Sequence, residues 1–337
     1  MIRVGIVGAT GYGGREIIRV LLGHAGSKLT MLASTSRVGQ HADEVLPAFR
    51  GATDLTFEAY DAKKLASECD VVFIAVPSKE SMEPAAELVA EGARVIDIGP
   101  DFRLKDPHAW ELYYGTPHRV RDLLPDAVYG LVPWYREAIK NASLVAVPGC
   151  YPISIILALR PILDAGLSDV PIVIDAISGA SGAGRGLAEG LHFAELNENV
   201  RAYKLGVHQH VPEIEQELQY KTVVQFTPHV GPYTRGILST ITVRPKHLFD
   251  PAPYFEVYKN EPFVRVLGEG TLPELNHVRG SNYTDVGWKR DERTGNLLLV
   301  SAVDNLMGGT AGMAVQCMNL MFGLDEAEGL RIGALSP

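Results

Sequence analysis

The chain has 337 residues, 46% hydrophobic and 21% charged, with 40 acidic against 31 basic side chains and a formal charge of −9. That length is about two domains of ~150 residues, with enough apolar content to bury a core without disulfides or structural metals. The acidic balance argues against a binder that tracks nucleic-acid phosphates, and three scattered cysteines, Cys69, Cys150 and Cys317, argue against a disulfide framework or a thiolate zinc cluster.

The first residues read directly as a strand (3–7) and a glycine-rich turn, so no secretory leader is expected. A helix over 14–22 follows, then strands over 29–33, 71–76, 94–98 and 144–147, with helical patterns between them such as 81–91. Short apolar strands alternating with helices predict a parallel sheet covered on both faces. The second half changes character. Strands of mixed pattern over 173–177, 222–227, 236–243 and 297–303 are separated by long loops, which predicts an α+β domain on a mixed or antiparallel sheet. A helix over 311–322 closes the pattern. No apolar run approaches the ~20 residues of a membrane helix, so a cytoplasmic protein is expected.

Gly8-Ala9-Thr10-Gly11-Tyr12-Gly13-Gly14 lies at the first strand-to-helix turn. A strict GxGxxG is absent, yet glycines at 8, 11 and 14 let a tight turn close and let backbone N–H groups approach a pyrophosphate at a helix N-terminus. A tight turn with no ligand is the plain alternative. The end of the second strand, Ala33-Ser34-Thr35-Ser36-Arg37, offers hydroxyls and a guanidinium but no carboxylate. That set suits a ribose 2′-phosphate, so NADP(H) is expected over NAD(H).

Cys150 sits in Val147-Pro148-Gly149-Cys150-Tyr151-Pro152, after a strand and just before an apolar helix over 153–163. A cysteine at the positive end of a helix should ionise easily, and the thiolate is its nucleophilic form. Cys69 and Cys317 read as packing residues. The candidate partners are His208 and His210; in an extended segment they would face one side. A two-histidine metal site is the competing reading, but no third ligand is evident and no metal is expected.

Taken together the motifs resemble the N-acetyl-γ-glutamyl-phosphate reductases, end to end. They are GATGYGG at 8–14, TSR at 35–37, DFRL at 101–104, PGCYP at 148–152, SGASGAGR at 178–185, HQHVPEIEQ at 208–216, TPHVGPYTRGIL at 227–238, HVRGSNYTD at 277–285 and DNLMGGTAG at 304–312. The resemblance implies a GAPDH-like arrangement: a Rossmann-type doubly wound domain over 1–148 and 306–337, and an α+β catalytic and dimerisation domain over 149–305. It implies Cys150 as nucleophile and His208 as acid/base. Arg103, Ser181, Arg185 and His210 fall on the substrate side. Gly8, Thr10, Gly11, Tyr12, Gly13, Ser34, Ser36, Arg37, Pro77 and Asn305 fall on the cofactor side. The implied reaction is NADPH-dependent reduction of an acyl phosphate to a semialdehyde in arginine biosynthesis, by a homo-oligomer. Three segments depart from the usual family pattern: Asp97-Ile98-Gly99-Pro100, Val132-Pro133-Trp134 and Pro77-Ser78. A carrier-linked sister reductase, an aspartate-semialdehyde dehydrogenase and a non-catalytic dinucleotide sensor are the alternatives.

Overall fold

The computed structural model describes residues 1–168 and 171–335. The chain divides into two compact units, Met1–Pro148 with Thr310–Arg331, and Gly149–Gly309 with the residues from Ile332 on.

The first unit is built on seven strands: β1 (Ile2–Val7), β2 (Ser27–Ala33), β3 (Phe57–Glu58), β4 (Val71–Ile74), β5 (Arg94–Asp97), β6 (Val128–Tyr129) and β7 (Leu144–Ala146). Every neighbouring pair is parallel and the order is β3-β2-β1-β4-β5-β7-β6. All four residues of β4 are buried, as a central strand covered on both faces requires. Its helices of seven or more residues include α1 (Tyr12–Leu21), α2 (Ala62–Glu68), α3 (Met82–Ala90), α4 (Pro107–Tyr114) and α5 (Val132–Lys140). α1 turns Ile17, Ile18, Val20 and Leu21 inward and leaves Arg19 outside, paired with Glu16 at 2.8 Å. The helix Gly312–Met321 is buried along its whole length and packs on α5 and α1. Cys317 belongs to that packing: its Sγ lies 3.4 Å from the Gly130 carbonyl, and burial pushes its thiol pKa up. Burial does the same to Cys69.

The second unit carries β8 (Ile172–Gly179), β9 (Arg201–Ala202), β10 (Val224–Gly231), β11 (Ile237–Val243), β12 (Val264–Glu269), β13 (Thr284–Arg290) and β14 (Leu297–Val303). The order is β12-β13-β14-β11-β8-β10-β9, with β8–β10 and β12–β13 parallel and the other pairs antiparallel. The sheet is therefore mixed, as the uneven strand patterns suggest. Two helices matter for function: α6 (Cys150–Asp164), which lies on β11 and β14, and α7 (His210–Glu217). α6 is apolar on nearly every side, and its buried serine hydroxyl, Ser154 Oγ, meets Ser239 Oγ at 2.6 Å.

The return to the first unit begins at Thr310 rather than at 306. Asp304 explains the difference. Its Oδ1 accepts the N–H groups of Leu306 and Met307, and its carbonyl accepts that of Gly309 at 2.7 Å, tying these residues to the second sheet. Near the chain end, the Leu335 N–H donates to the Arg279 carbonyl, so this segment also belongs with the second unit. Residues 336 and 337 of the expected return lie outside the described residues. Among the described residues no helix is long and apolar enough to cross a membrane.

Candidate active site

Strand order in the first sheet reverses between β1 and β4, and in open α/β sheets ligands bind outside the carboxyl ends of the strands at that switch point. The β1–α1 turn is there. Gly8 has φ +88°, and a Cβ on it would come within 2.6 Å of the Ala75 carbonyl oxygen at the end of β4. Glycine is therefore dictated both by backbone conformation and by space. α1 starts from Gly11, and no side chain caps it. Thr10 lends its carbonyl to Arg15 Nε, Tyr12 is partly exposed, and Gly13 faces Ile98 so closely that a Cβ would sit 2.5 Å from that side chain. Bare backbone at an uncapped helix N-terminus is what a pyrophosphate needs, so these residues fit a dinucleotide. Ser34, Ser36 and Arg37 follow β2 in an exposed turn. Ser34 Oγ accepts the Ser36 N–H, and Arg37 Nη1 reaches Gln40 Oε1 at 3.4 Å. Pro77 follows β4 and is exposed.

Also in the first unit, Arg103 is buried. Its Nε donates to the Val147 carbonyl at 2.7 Å and its Nη2 to that of Ile98 at 2.9 Å. The loop carrying it starts at Asp97, which is wholly buried and accepts from Ser81 Oγ and Gly99 N–H. Loss of hydration, then the neighbouring Asp101 charge, pushes the Asp97 carboxyl up to about 7.

In the second unit Cys150 is the first residue of α6, three residues earlier than the apolar pattern suggests, and Gly149 is its N-cap. The Gly149 N–H donates to Glu213 Oε1 at 2.7 Å, so a buried carboxylate on α7 holds the start of the nucleophile's helix. Gly309 packs flush against Cys150: a Cβ there would lie 2.8 Å from the Cys150 Cβ. A larger residue at 309 would displace the thiol.

The histidines are not in an extended segment. His208 is in a turn and His210 opens α7. The turn brings the rings together by another route, with centroids 4.8 Å apart. His208 is buried among Tyr151, Tyr203 and Phe226, with ring centroids at 5.7, 5.6 and 5.2 Å. The His210 N–H donates to His208 Nδ1 at 3.1 Å. With Nδ1 accepting, the imidazole proton is assigned to Nε2. Burial first, then the His210 and Lys204 charges, pushes the His208 pKa down to about 2. His208 is thus a neutral Nε2–H donor, not a standing imidazolium. Tyr203 Oη donates to Tyr151 Oη at 3.3 Å, and Tyr151 Oη donates to the His229 carbonyl at 3.0 Å, which fixes both rings. The pKa of Tyr203 is raised by burial and also by the Cys150 charge, so the phenol lies in the field of the thiol.

Ser181 is in the turn after β8, and its N–H donates to the Thr234 carbonyl. Buried Asn305 joins that turn to the start of β11. Its Nδ2 donates to Ser181 Oγ at 2.9 Å and its Oδ1 accepts the Gly236 N–H at 2.7 Å. Arg185 is exposed four residues further on. Of the expected residues, then, Cys150, His208, His210, Ser181, Arg185 and Asn305 lie in the second unit, and the glycine turn, Ser34, Ser36, Arg37, Pro77 and Arg103 in the first. Reasoning from sequence passed over Glu213, Tyr151, Tyr203 and Asp304. The available signal for Glu213 is its place between Pro212 and Ile214 in the same 208–216 motif that carries both histidines. Among the described residues no group of three or more His, Cys, Asp or Glu could hold a metal ion.

A doubly wound parallel sheet joined to a mixed-sheet unit with a cysteine at a helix start defines the semialdehyde dehydrogenase class, and comparison with known proteins agrees. The family model "Semialdehyde dehydrogenase, NAD binding domain" matches residues 3–142, and "Semialdehyde dehydrogenase, dimerisation domain" matches 150–305. Solved structures of similar fold include aspartate semialdehyde dehydrogenase II from Vibrio cholerae complexed with ASA (TM-score 0.73, 18% identity, 96% of this chain and 98% of that one). Another is aspartate semialdehyde dehydrogenase with NADP from Candida albicans (TM-score 0.72, 16% identity, 96% and 98%). Sequence relatives are much nearer. The N-acetyl-γ-glutamyl-phosphate reductase of Desulforudis audaxviator is 48% identical over 346 residues, covering 100% of both chains. That of Pelotomaculum thermopropionicum is 46% identical over 348 residues, covering 100% of this chain and 99% of its own. The chain belongs to the N-acetyl-γ-glutamyl-phosphate reductase family of oxidoreductases.

Proposed function

We propose that this enzyme reduces N-acetyl-γ-glutamyl phosphate to N-acetylglutamate 5-semialdehyde and phosphate, with NADPH, in arginine biosynthesis. The observation that carries the chemistry is Cys150 at the first position of α6, in a unit where buried His208 presents Nε2–H. Full-length relatives of that name support the substrate.

The Cys150 thiolate attacks the acyl carbon. The bond from that carbon to the phosphate oxygen breaks, and phosphate leaves with the electron pair. A thioester remains on Cys150, still electrophilic enough to be reduced. Bound NADPH supplies the hydride for that reduction. The resulting oxyanion is stabilised by the His208 Nε2–H and by backbone N–H groups opening α6, a contribution of ~10² to 10⁴ in rate for a positioned donor. Cleavage of the carbon–sulfur bond then releases the aldehyde and restores the thiolate. Gly8, Thr10, Gly11, Tyr12 and Gly13 take the pyrophosphate, Ser34, Ser36 and Arg37 the 2′-phosphate, and Pro77 and Asn305 the nicotinamide end. Arg103, Ser181, Arg185 and His210 are assigned to the substrate. The first unit is the nucleotide domain and the second the catalytic and dimerisation domain of a cytoplasmic homo-oligomer.

The test is a panel of N-acetylglutamate semialdehyde, aspartate semialdehyde and a carrier-linked semialdehyde, each with phosphate and NADP. Reduction of NADP with the first alone is expected. Turnover of another in its place overturns the substrate assignment, and none at all, with NADPH still bound, favours a sensor. Cys150→Ser is expected to lose nearly all turnover and keep NADPH binding; substantial residual activity refutes the thioester.

A further inference from the structure

Lys204 follows β9 in the turn that leads to His208. Its backbone is left-handed, with φ +49°, a conformation unfavourable for a long side chain unless its surroundings impose it. Its ammonium is nevertheless anchored: Nζ donates to Gln209 Oε1 at 2.8 Å. Gln209 is the N-cap of α7 and stands between the two histidines. The partner is a neutral amide, and among the described residues no carboxylate pairs with Lys204. Partial burial lowers its own pKa, and its charge bears on His208 strongly enough to lower that one too. An exposed cation on a left-handed backbone, tied through Gln209 to the turn between the two histidines and paired with no carboxylate among the described residues, is arranged for an anion from outside the protein.

We propose that Lys204 binds the phosphate of the acyl phosphate and carries it away as the leaving group. The inference rests on the function proposed above and adds a residue to it. The substrate has two anionic ends. Its phosphate is bonded directly to the carbon on which Cys150 and His208 act, whereas its carboxylate lies several bonds away. A cation adjoining His208 meets the phosphate. Holding the dianion offsets the charge that builds on the departing oxygen as the bond to carbon breaks. It also offsets the positive field that Lys204 places on His208.

The reverse reaction separates the two anions, because phosphate and semialdehyde are added independently. Lys204→Asn removes the charge with a residue that tolerates a left-handed backbone, and Lys204→Arg keeps the charge. In Lys204→Asn the KM for phosphate should rise ~10- to 100-fold, the loss of one charge-assisted contact, with the semialdehyde KM changed less than about twofold. Lys204→Arg should recover most of the loss. Without turnover, phosphate should slow alkylation of Cys150 by iodoacetamide in the unaltered enzyme and require far higher concentrations to do so in Lys204→Asn. A phosphate KM within about twofold of the unaltered value overturns the proposal, as does a rise confined to the semialdehyde. If the unaltered enzyme turns over no semialdehyde with phosphate, the underlying function fails instead, and the alkylation experiment still decides whether Lys204 binds phosphate.

Discussion

Burial of the Asp97 carboxyl predicts that the stability of the first unit falls as pH rises, and Asp97→Asn measures by how much. The side chain is fully buried, with its two oxygens accepting from Gly99 N–H at 2.8 Å and Ser81 Oγ at 2.9 Å. Its carboxyl is raised from 3.8 to about 7, first by loss of hydration and then by the Asp101 charge, against the opposing pull of the Gly99 and Ser81 hydrogen bonds and the Arg103 charge. Because the folded pKa lies above the unfolded one, the favourable contribution is complete below the unfolded value and is lost as pH rises to the folded one. A gap of about three pH units sets a ceiling of about 4 kcal/mol, of which the larger part, about 2–3 kcal/mol, should fall between pH 5 and 8.5.

Asparagine keeps the shape of the side chain. Its Oδ1 still accepts from Gly99, its Nδ2 donates to a rotated Ser81 hydroxyl, and it never ionises. Urea unfolding at pH 5 and 8.5, followed by tryptophan fluorescence, is the assay; Trp110 and Trp134 both report on the first unit. The advantage of Asp97→Asn over the unaltered protein should grow by about 2–3 kcal/mol from the lower pH to the higher. An advantage constant to within about 0.5 kcal/mol would show that Asp97 ionises normally and that the burial argument is wrong.

Gly309→Ala places a methyl 2.8 Å from the Cys150 Cβ and 3.1 Å from the Asp304 carbonyl oxygen, neither of which is a flexible side-chain end. We expect a loss of about 1–3 kcal/mol in thermal unfolding, with turnover down ~10²-fold as the thiol moves; unchanged values of both would refute the close fit. Arg37→Ala should weaken NADPH binding ~10-fold or more and leave NADH nearly unaffected, measured by fluorescence titration. Equal effects on the two cofactors would remove Arg37 from the 2′-phosphate.

Much of the first unit was legible because parallel strands buried on both faces are continuous apolar runs: residues 71–74 are nearly unmistakable. The glycine turn was legible too, since positions 8 and 14 tolerate no Cβ whatever the ligand. The mixed sheet was harder. Its strand boundaries moved by a few residues, as with β10, which runs over Val224–Gly231, because side chains there need alternate only on the face that packs. The two histidine rings meet by a route that local spacing does not show. Period-two spacing suggested a shared strand face, yet a turn into α7 brings the rings to 4.8 Å.

The sequence by itself determined the class of sheet, the glycine cradle, the cysteine ahead of an apolar helix and the family, because each depends on residues adjacent in the chain and on what one residue type can or cannot do. Only the tertiary structure decided that Glu213 holds the start of α6 from 64 positions away. It alone showed Asn305 joining Ser181 to Gly236, and His208 kept neutral by aromatic burial. Charge state and hydrogen-bond partnership are properties of the surroundings, and those surroundings are supplied by segments that meet only when the sheet has formed.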